Sequence, residues 1–193
     1  KDLTSLISNN LINGTLNLYS SGTNKLSNTN NLRTTVVNDL SYSSDNFISK
    51  LGFINTFDLY LKNLNAVAKN DTTYTSNAQI DGMSTLKIDS SFPLLRSKNM
   101  IKETLTPKVS FRINPGNNMD NYSGTSSNIN VHNAFDINRL GLSNDFEAGR
   151  SLTFGLDYKF EQIIDNQSEN TKDKFLELKI ATVIRDQNEN DIP

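Results

Sequence analysis

Period-two alternation of apolar and polar residues, sustained over ten or more positions in several separate segments, limits this chain more than any other feature. Alternation at that period puts successive side chains on opposite faces of an extended strand. In 151–161, Leu152, Phe154, Leu156, Tyr158 and Phe160 share one face, and Ser151, Thr153, Gly155, Asp157, Lys159 and Glu161 the other. In 104–113, Leu105, Pro107, Val109, Phe111 and Ile113 oppose Thr104, Thr106, Lys108, Ser110 and Arg112. The same scheme runs through 53–62 (Phe53, Phe57, Leu59, Leu61 against Thr56, Asp58, Tyr60, Lys62) and 85–94 (Leu86, Ile88, Phe92, Leu94 against Thr85, Lys87, Asp89, Ser91). In 175–185, Leu176, Leu178, Ile180 and Ile184 oppose Glu177, Lys179 and Arg185, with Phe175 and Val183 blurring the polar face. Segments 11–19 and 32–42 are weaker strands built on Leu16, Leu18, Val36 and Leu40.

Between these segments lie Asn-, Ser-, Gly- and Asp-rich stretches read as connections: 114–131, Gln162–Asp173 and Ser20–Asn31. No segment carries a capped 3.6-residue stripe, so helix content is expected to be low. At about 20 residues per strand and connection, the chain is expected to hold roughly eight to ten antiparallel strands in an all-β, up-and-down meander.

Alternation fits a soluble sandwich as well as a membrane barrel, and strand length and face chemistry bear on the choice. Strands of soluble proteins typically run about 5–6 residues, whereas a barrel strand crosses the hydrocarbon in about 9–11 tilted residues. The polar faces are charged in mid-strand: Lys108 and Arg112, or Asp157, Lys159 and Glu161. A hydrated barrel interior accommodates these charges, while a basic side chain at mid-depth in lipid costs about 2–4 kcal/mol. A one-residue register slip would turn them into lipid. On this basis the chain is expected to form part of a large transmembrane β-barrel wall, with a soluble β-rich binding domain as the alternative. With no Trp, any aromatic girdle at the membrane boundaries falls to Tyr and Phe, with Tyr19, Tyr42, Tyr60, Phe92 and Tyr158 as candidates.

Composition excludes several function classes. A net charge of −2 with a pI near 5.4 supplies no basic field for nucleic acid. The chain has no Cys, and His132 is its only histidine, so a thiolate site, a His-based metal cage or a catalytic triad cannot be assembled from these residues. The Asn/Asp/Gly cluster 114–124 lacks the ordered acidic spacing of a calcium loop. Asp157 and Glu161 lie four residues apart on one strand face, about 13 Å by strand rise, too far for a glycosidase pair. Neither enzymatic activity nor a cofactor is expected. Asn makes up about one residue in seven, and triplets such as Asn13-Gly14-Thr15 and Asn121-Tyr122-Ser123 follow from that bias rather than from glycosylation. The chain opens at Lys1 without Met and stops at Asp191-Ile192-Pro193 after a strand-like run, so residues 1–193 are read as a partial barrel domain cut from a longer protein.

From about residue 90 onward the order of motifs resembles the C-terminal barrel domain of the LptD (OstA, organic-solvent-tolerance) family. Ser91-Phe92-Pro93-Leu94 is similar to the family's strand ending in an aromatic-Pro step. Leu105-Thr106-Pro107-Lys108, continuing to Pro115, resembles its "leucine, one residue, proline" strand. Asn138-Arg139-Leu140-Gly141, then Asp145–Arg150 and the strand Ser151–Tyr158, resembles an Asn-Arg-aromatic-Ser-Gly turn followed by an acidic, Gly- and Arg-containing segment and a "Tyr-Gly-Leu" strand. Lys174–Arg185 and the Asn-Asp-Ile-Pro tail resemble the next strand and loop. Leu140 stands where the family has its aromatic, and residues 1–89 match only as generic barrel strands.

The resemblance implies a protein of the cell outer membrane that assembles lipopolysaccharide in the outer leaflet. It implies an LptE-like lipoprotein plug and a periplasmic Lpt bridge reached through an N-terminal domain outside this sequence. A generic outer-membrane porin or receptor-type barrel is the alternative within membranes. The motif turn supplies the site residues Asn138, Arg139, Gly141, Glu147, Gly149 and Arg150, and the charged strand faces supply Lys108, Arg112, Asp157, Lys159 and Glu161 as lumen-facing candidates. Asn138, Gly141 and Asn144 suit a tight connection. Arg139, Glu147 and Arg150 are expected to pair on the interior face. The simpler reading is a lock on register between hairpins; the alternative is a network that shapes the lumen.

Overall fold

The computed structural model describes residues 13–28, 30–72, 74–115, 128–141, 147–166 and 169–186, with the backbone alone for 163–174. The alternating segments become the strands β1 (Gly14–Ser27), β2 (Asn31–Ser44), β3 (Phe47–Ile48), β4 (Ile54–Lys69), β5 (Gln79–Ser91), β6 (Leu94–Lys98), β7 (Ile101–Asn114), β8 (Gly149–Asn166) and β9 (Glu169–Arg185). They form one antiparallel sheet in the order β1-β2-β4-β5-β7-β8-β9, with β3 added to β4 and β6 to β7. This is an up-and-down meander, open at its edges β1 and β9.

Strands β5 and β6 keep one register against β7 (Ser91 opposite Lys108, Leu94 opposite Leu105). Only the Phe92-Pro93 step, where proline offers no N–H to the ladder, separates them. Their hairpin turns on Asn99 and Met100, both at positive φ (48° and 63°), as a two-residue primed turn requires.

Two connections expected from composition are strand instead. Of Ser20–Asn31, residues 20–27 belong to β1 and only the turn around Asn28 (φ 50°) is a connection, because the Ser, Thr and Asn side chains bond across the strand pair rather than to their own backbone. Ser20 donates to Asn38 (2.7 Å) and the Thr23 and Thr35 hydroxyls meet at 2.6 Å. Of Gln162–Asp173, the described residues are likewise ladder, since β8 runs to Asn166 and β9 starts at Glu169. Asn144, most of 114–131 and the 190–193 tail lie outside the described residues.

The sheet is built inside out. Directly opposed residues of an antiparallel pair share a face, so the register defines continuous rows. One row is Leu16–Tyr42–Leu59–Leu86–Ile113, and the next is Phe57–Ile88–Phe111–Leu152–Ile184. This apolar face is the uncovered one: Leu59, Ile88, Phe111, Phe154, Leu178, Ile180 and Ile184 are all exposed. The polar face is the covered one, with Lys62, Thr85, Lys87, Ser110, Arg112, Ser151, Thr153 and Glu161 all buried. Near one end of β4 and β5 the covered face turns apolar at Leu64, Ala66, Ala68 and Met83.

The apolar band also shifts along the strands. It is carried by Leu16 and Leu18 in β1, and by Leu152 through Phe160 in β8, displaced toward the end that bears the Asn99-Met100 turn. Of the girdle candidates, Tyr42, Phe92 and Tyr158 lie on the apolar face, Tyr42 against Phe57 and Phe92 against Phe53. Tyr19 and Tyr60 do not: they are opposite Asp39 and Ser41, on the polar face.

Candidate functional site

The covered face carries a ladder of opposite charges. Lys62 pairs with Asp39 at 3.0 Å, and Lys87 with Asp58 at 3.5 Å and with Asp89. Lys108 pairs with Asp157, Lys159 with Glu161 at 3.2 Å, and Lys179 with Glu177 at 2.7 Å. The carboxylates of Asp58 and Asp89 answer a specific need. Lys87 stands directly opposite Arg112, and like charges facing each other across strands destabilise the pair. The lumen-side candidates Lys108, Arg112, Asp157, Lys159 and Glu161 therefore share one face, as alternation requires.

Over the β7–β9 part of this face lies the segment 128–141, folded back onto the sheet. Asn130 organises its start, accepting from the backbone N–H groups of Asn133 and Ala134. Three contacts hold the segment down. Arg112 Nε donates to the Ile137 carbonyl at 3.1 Å, Thr153 Oγ1 donates to the Ala134 carbonyl at 3.4 Å, and the Phe135 ring sits on Gly155. A Cβ at Gly155 would stand 2.6 Å from Phe135 Cζ, so only glycine leaves the hollow the ring fills. Lys108 Nζ lies 5.6 Å from the same ring centroid, within cation–π range.

The motif turn closes the segment. Gly141 adopts φ 64° and donates its N–H to the Asn138 carbonyl, and Gly149 (φ 82°) starts β8. Arg139 forks onto Glu147, Nε to Oε2 at 2.5 Å and Nη2 to Oε1 at 2.6 Å, with both side chains almost wholly buried. Arg185 of β9 adds a second cation at 3.1 Å from Glu147 Oε1, and Asn114 donates to the Glu147 carbonyl. One carboxylate thus joins the segment, the end of β7 and the edge strand β9.

Arg139 does pair with Glu147, on the covered face of the sheet, but Arg150 is not part of it. Arg150 is opposite Ile113 on the apolar side, two-thirds exposed, and pairs with Asp186 at 2.9 Å. Arg185 takes its place beside Glu147. Residue parity explains this, since Arg150 belongs with Leu152 and Phe154 and Arg185 is opposite Ser151. The sequence reading also missed Phe135, Ile137 and the buried Leu140 as anchors, although three apolar residues in an otherwise polar connection were their signal.

No protein-family profile, curated protein or solved structure matches the chain. What the arrangement does is therefore argued from its physics. Buried Arg112 and Thr153 bond to the segment, and the segment's Arg139 to buried Glu147. Among the described residues no group of His, Cys, Asp or Glu is arranged to hold a metal ion. The site is a clamp that fixes a folded-in segment against a polar wall.

Proposed function

We propose that this chain is a section of the wall of a large outer-membrane β-barrel that delivers lipopolysaccharide to the outer leaflet. The observation that carries the membrane part is the inverted burial. Leu59, Ile88, Phe111, Phe154, Leu178, Ile180 and Ile184 are exposed on one face while Lys62, Lys87, Arg112 and Glu161 are buried on the other. In water a contiguous apolar surface of this extent drives association, and in a bilayer it is the surface that lipid solvates.

Two further features support the wall. From Leu152 to Phe160 the band of β8 measures about 27 Å along the strand, which at a tilt near 40° is roughly 20 Å of membrane thickness, close to the apolar belt of such barrels. The drift of the band from strand to strand is the stagger that tilted strands produce on closing. Closure requires further strands on the edges β1 and β9.

The lipopolysaccharide part rests on the resemblance of the 91–94, 105–115 and 138–158 motifs to the LptD family. In that reading the polar face lines a hydrated lumen occupied by a lipoprotein plug, and segment 128–141 narrows it. The test is reconstitution of the full-length protein in vesicles. Stable capture of an LptE-like lipoprotein, with lipopolysaccharide transferred to the bilayer only when both are present, is the expected result. Ion conductance without any lipoprotein requirement would place the protein among passive diffusion barrels instead.

A further inference from the structure

Resting on the membrane-wall reading, we propose that the outer face of the β6–β7 hairpin, where it meets β8, binds one glycerophospholipid. The phosphate sits on Arg96 and Lys98, and an acyl chain lies along Leu94, Leu105 and Tyr158. A groove of about 310 Å³ lies here, lined by Leu94, Leu95, Arg96, Glu103, Leu105 and Tyr158. Its floor belongs to the apolar face, since Leu94 is opposite Leu105 and Leu105 opposite Tyr158. It opens along β6, which pairs with β7 alone among the described strands.

Charge is placed at the depth a lipid headgroup needs. Arg96 follows Leu94 by two residues on the same face, about 7 Å further along the strand, and Lys98 follows by two more. Arg96 pairs with Glu103 at 3.1 Å, yet its side chain is 77% exposed against 24% for Glu103. The cation is the outward member of that pair. Glu103 is engaged from behind by the Tyr158 hydroxyl, which donates to Oε1 at 3.1 Å. Residues Leu94–Lys98 are all exposed, so the stems of Arg96 and Lys98 can lie on apolar surface while their heads reach the phosphate layer.

The opposite margin of the band differs. There β1, β2 and β4 present Ser20, Asn38, Asn63 and Asn65, joined to one another by hydrogen bonds. The band is thus bordered by Arg96 and Lys98 at the hairpin, and across the sheet by uncharged amides on β1, β2 and β4 and by Arg150 on β8, which Asp186 neutralises. The longest connection of such barrels marks the outer side. Here it is 115–148, at the end opposite the Asn99-Met100 turn, with the short β1–β2 turn sharing its end, so the cationic margin meets the periplasmic leaflet and its glycerophospholipids.

The test uses the full-length protein in detergent, first shown to be a folded barrel by heat-modifiable electrophoretic mobility. Phosphatidylglycerol is then titrated and bound lipid counted by native mass spectrometry. The wild type is expected to hold one lipid that Arg96→Gln/Lys98→Gln binds at least ten-fold more weakly, while Arg96→Lys/Lys98→Arg retains it. Arg150→Gln, which removes an exposed cation from the other margin, is expected to leave binding unchanged. Equal binding by the Gln double variant, or an equal loss in Arg150→Gln, overturns the site. A wild-type protein that is not heat-modifiable and does not enter bilayers overturns the wall reading, and the lipid site with it.

Discussion

Glu147 is the residue that ties the end of the folded-in segment to the end of β7 and to β9. Removing one member of a buried ion pair leaves the other charged and unsolvated, at a cost of about 3–5 kcal/mol. Glu147→Gln is expected to destabilise the folded full-length protein by that order in urea unfolding from micelles. Arg139→Met/Glu147→Leu is expected to cost less than Glu147→Gln alone, because Arg185 is part-exposed and regains water. If the double variant is the worse, the clamp acts through something other than paired charge. Gly155→Ala tests the other anchor. The added methyl overlaps the Phe135 ring, and overpacking of this kind costs about 1–3 kcal/mol. Limited proteolysis within 128–141 is expected to accelerate, and Phe135→Leu in the same chain to restore much of the protection. Unchanged cleavage in Gly155→Ala would mean that the ring does not hold the segment down.

Strands were the legible part of this chain, because alternation is a local property and the register only repeats it. The segments 104–113 and 151–161 fall inside β7 and β8, and 53–62 starts one residue before β4, all with their apolar residues on the expected face. Strand ends were less legible. Ser, Thr and Asn favour turns when they bond to their own backbone, and Ser20, Thr23 and Asn38 bond across strands instead. In segment 128–141 only the Asn138–Gly141 turn and the Arg139–Glu147 pair were legible; its docking on the sheet depends on Gly155 and Arg112 from strands on either side of a long connection. Arg150 was misplaced for want of counting parity back from Leu152. Its pairing with Asp186, just past the end of β9, has a pH signature. Hydrogen bonds from the Arg150 backbone and guanidinium hold the Asp186 carboxyl below its ordinary value. A depressed carboxyl stabilises the fold above the unfolded-state pKa, near 3.9, and loses that contribution as pH falls through its own lower value. Titration of Asp186 followed by NMR is expected to show the lowered midpoint in the wild type and a partial return in Arg150→Gln, which removes the guanidinium bond but keeps the larger contribution of the Arg150 backbone N–H. A full return to the ordinary value would contradict the backbone contribution, and no upward movement the guanidinium one.

At the scale of the whole molecule, the two faces decide the account. A sheet with bare leucines and buried lysines is stable where the outside is hydrocarbon and the inside is wet, and the open edges β1 and β9 ask for further strands. The proposed lipid site on the β6–β7 hairpin and the clamp over β7–β9 lie on opposite faces of the sheet. The chain contains no cysteine, so single spin labels can be introduced without background. The decisive measurement is the accessibility of labels in the full-length protein in bilayers, read with oxygen against a water-soluble nickel complex. Labels at Phe154 and Leu156 are predicted to be reached by oxygen and shielded from nickel, and labels at Asp157 and Lys159 to show the reverse. Nickel access at Phe154 and Leu156, with oxygen-dominated relaxation at Asp157 and Lys159, would contradict it.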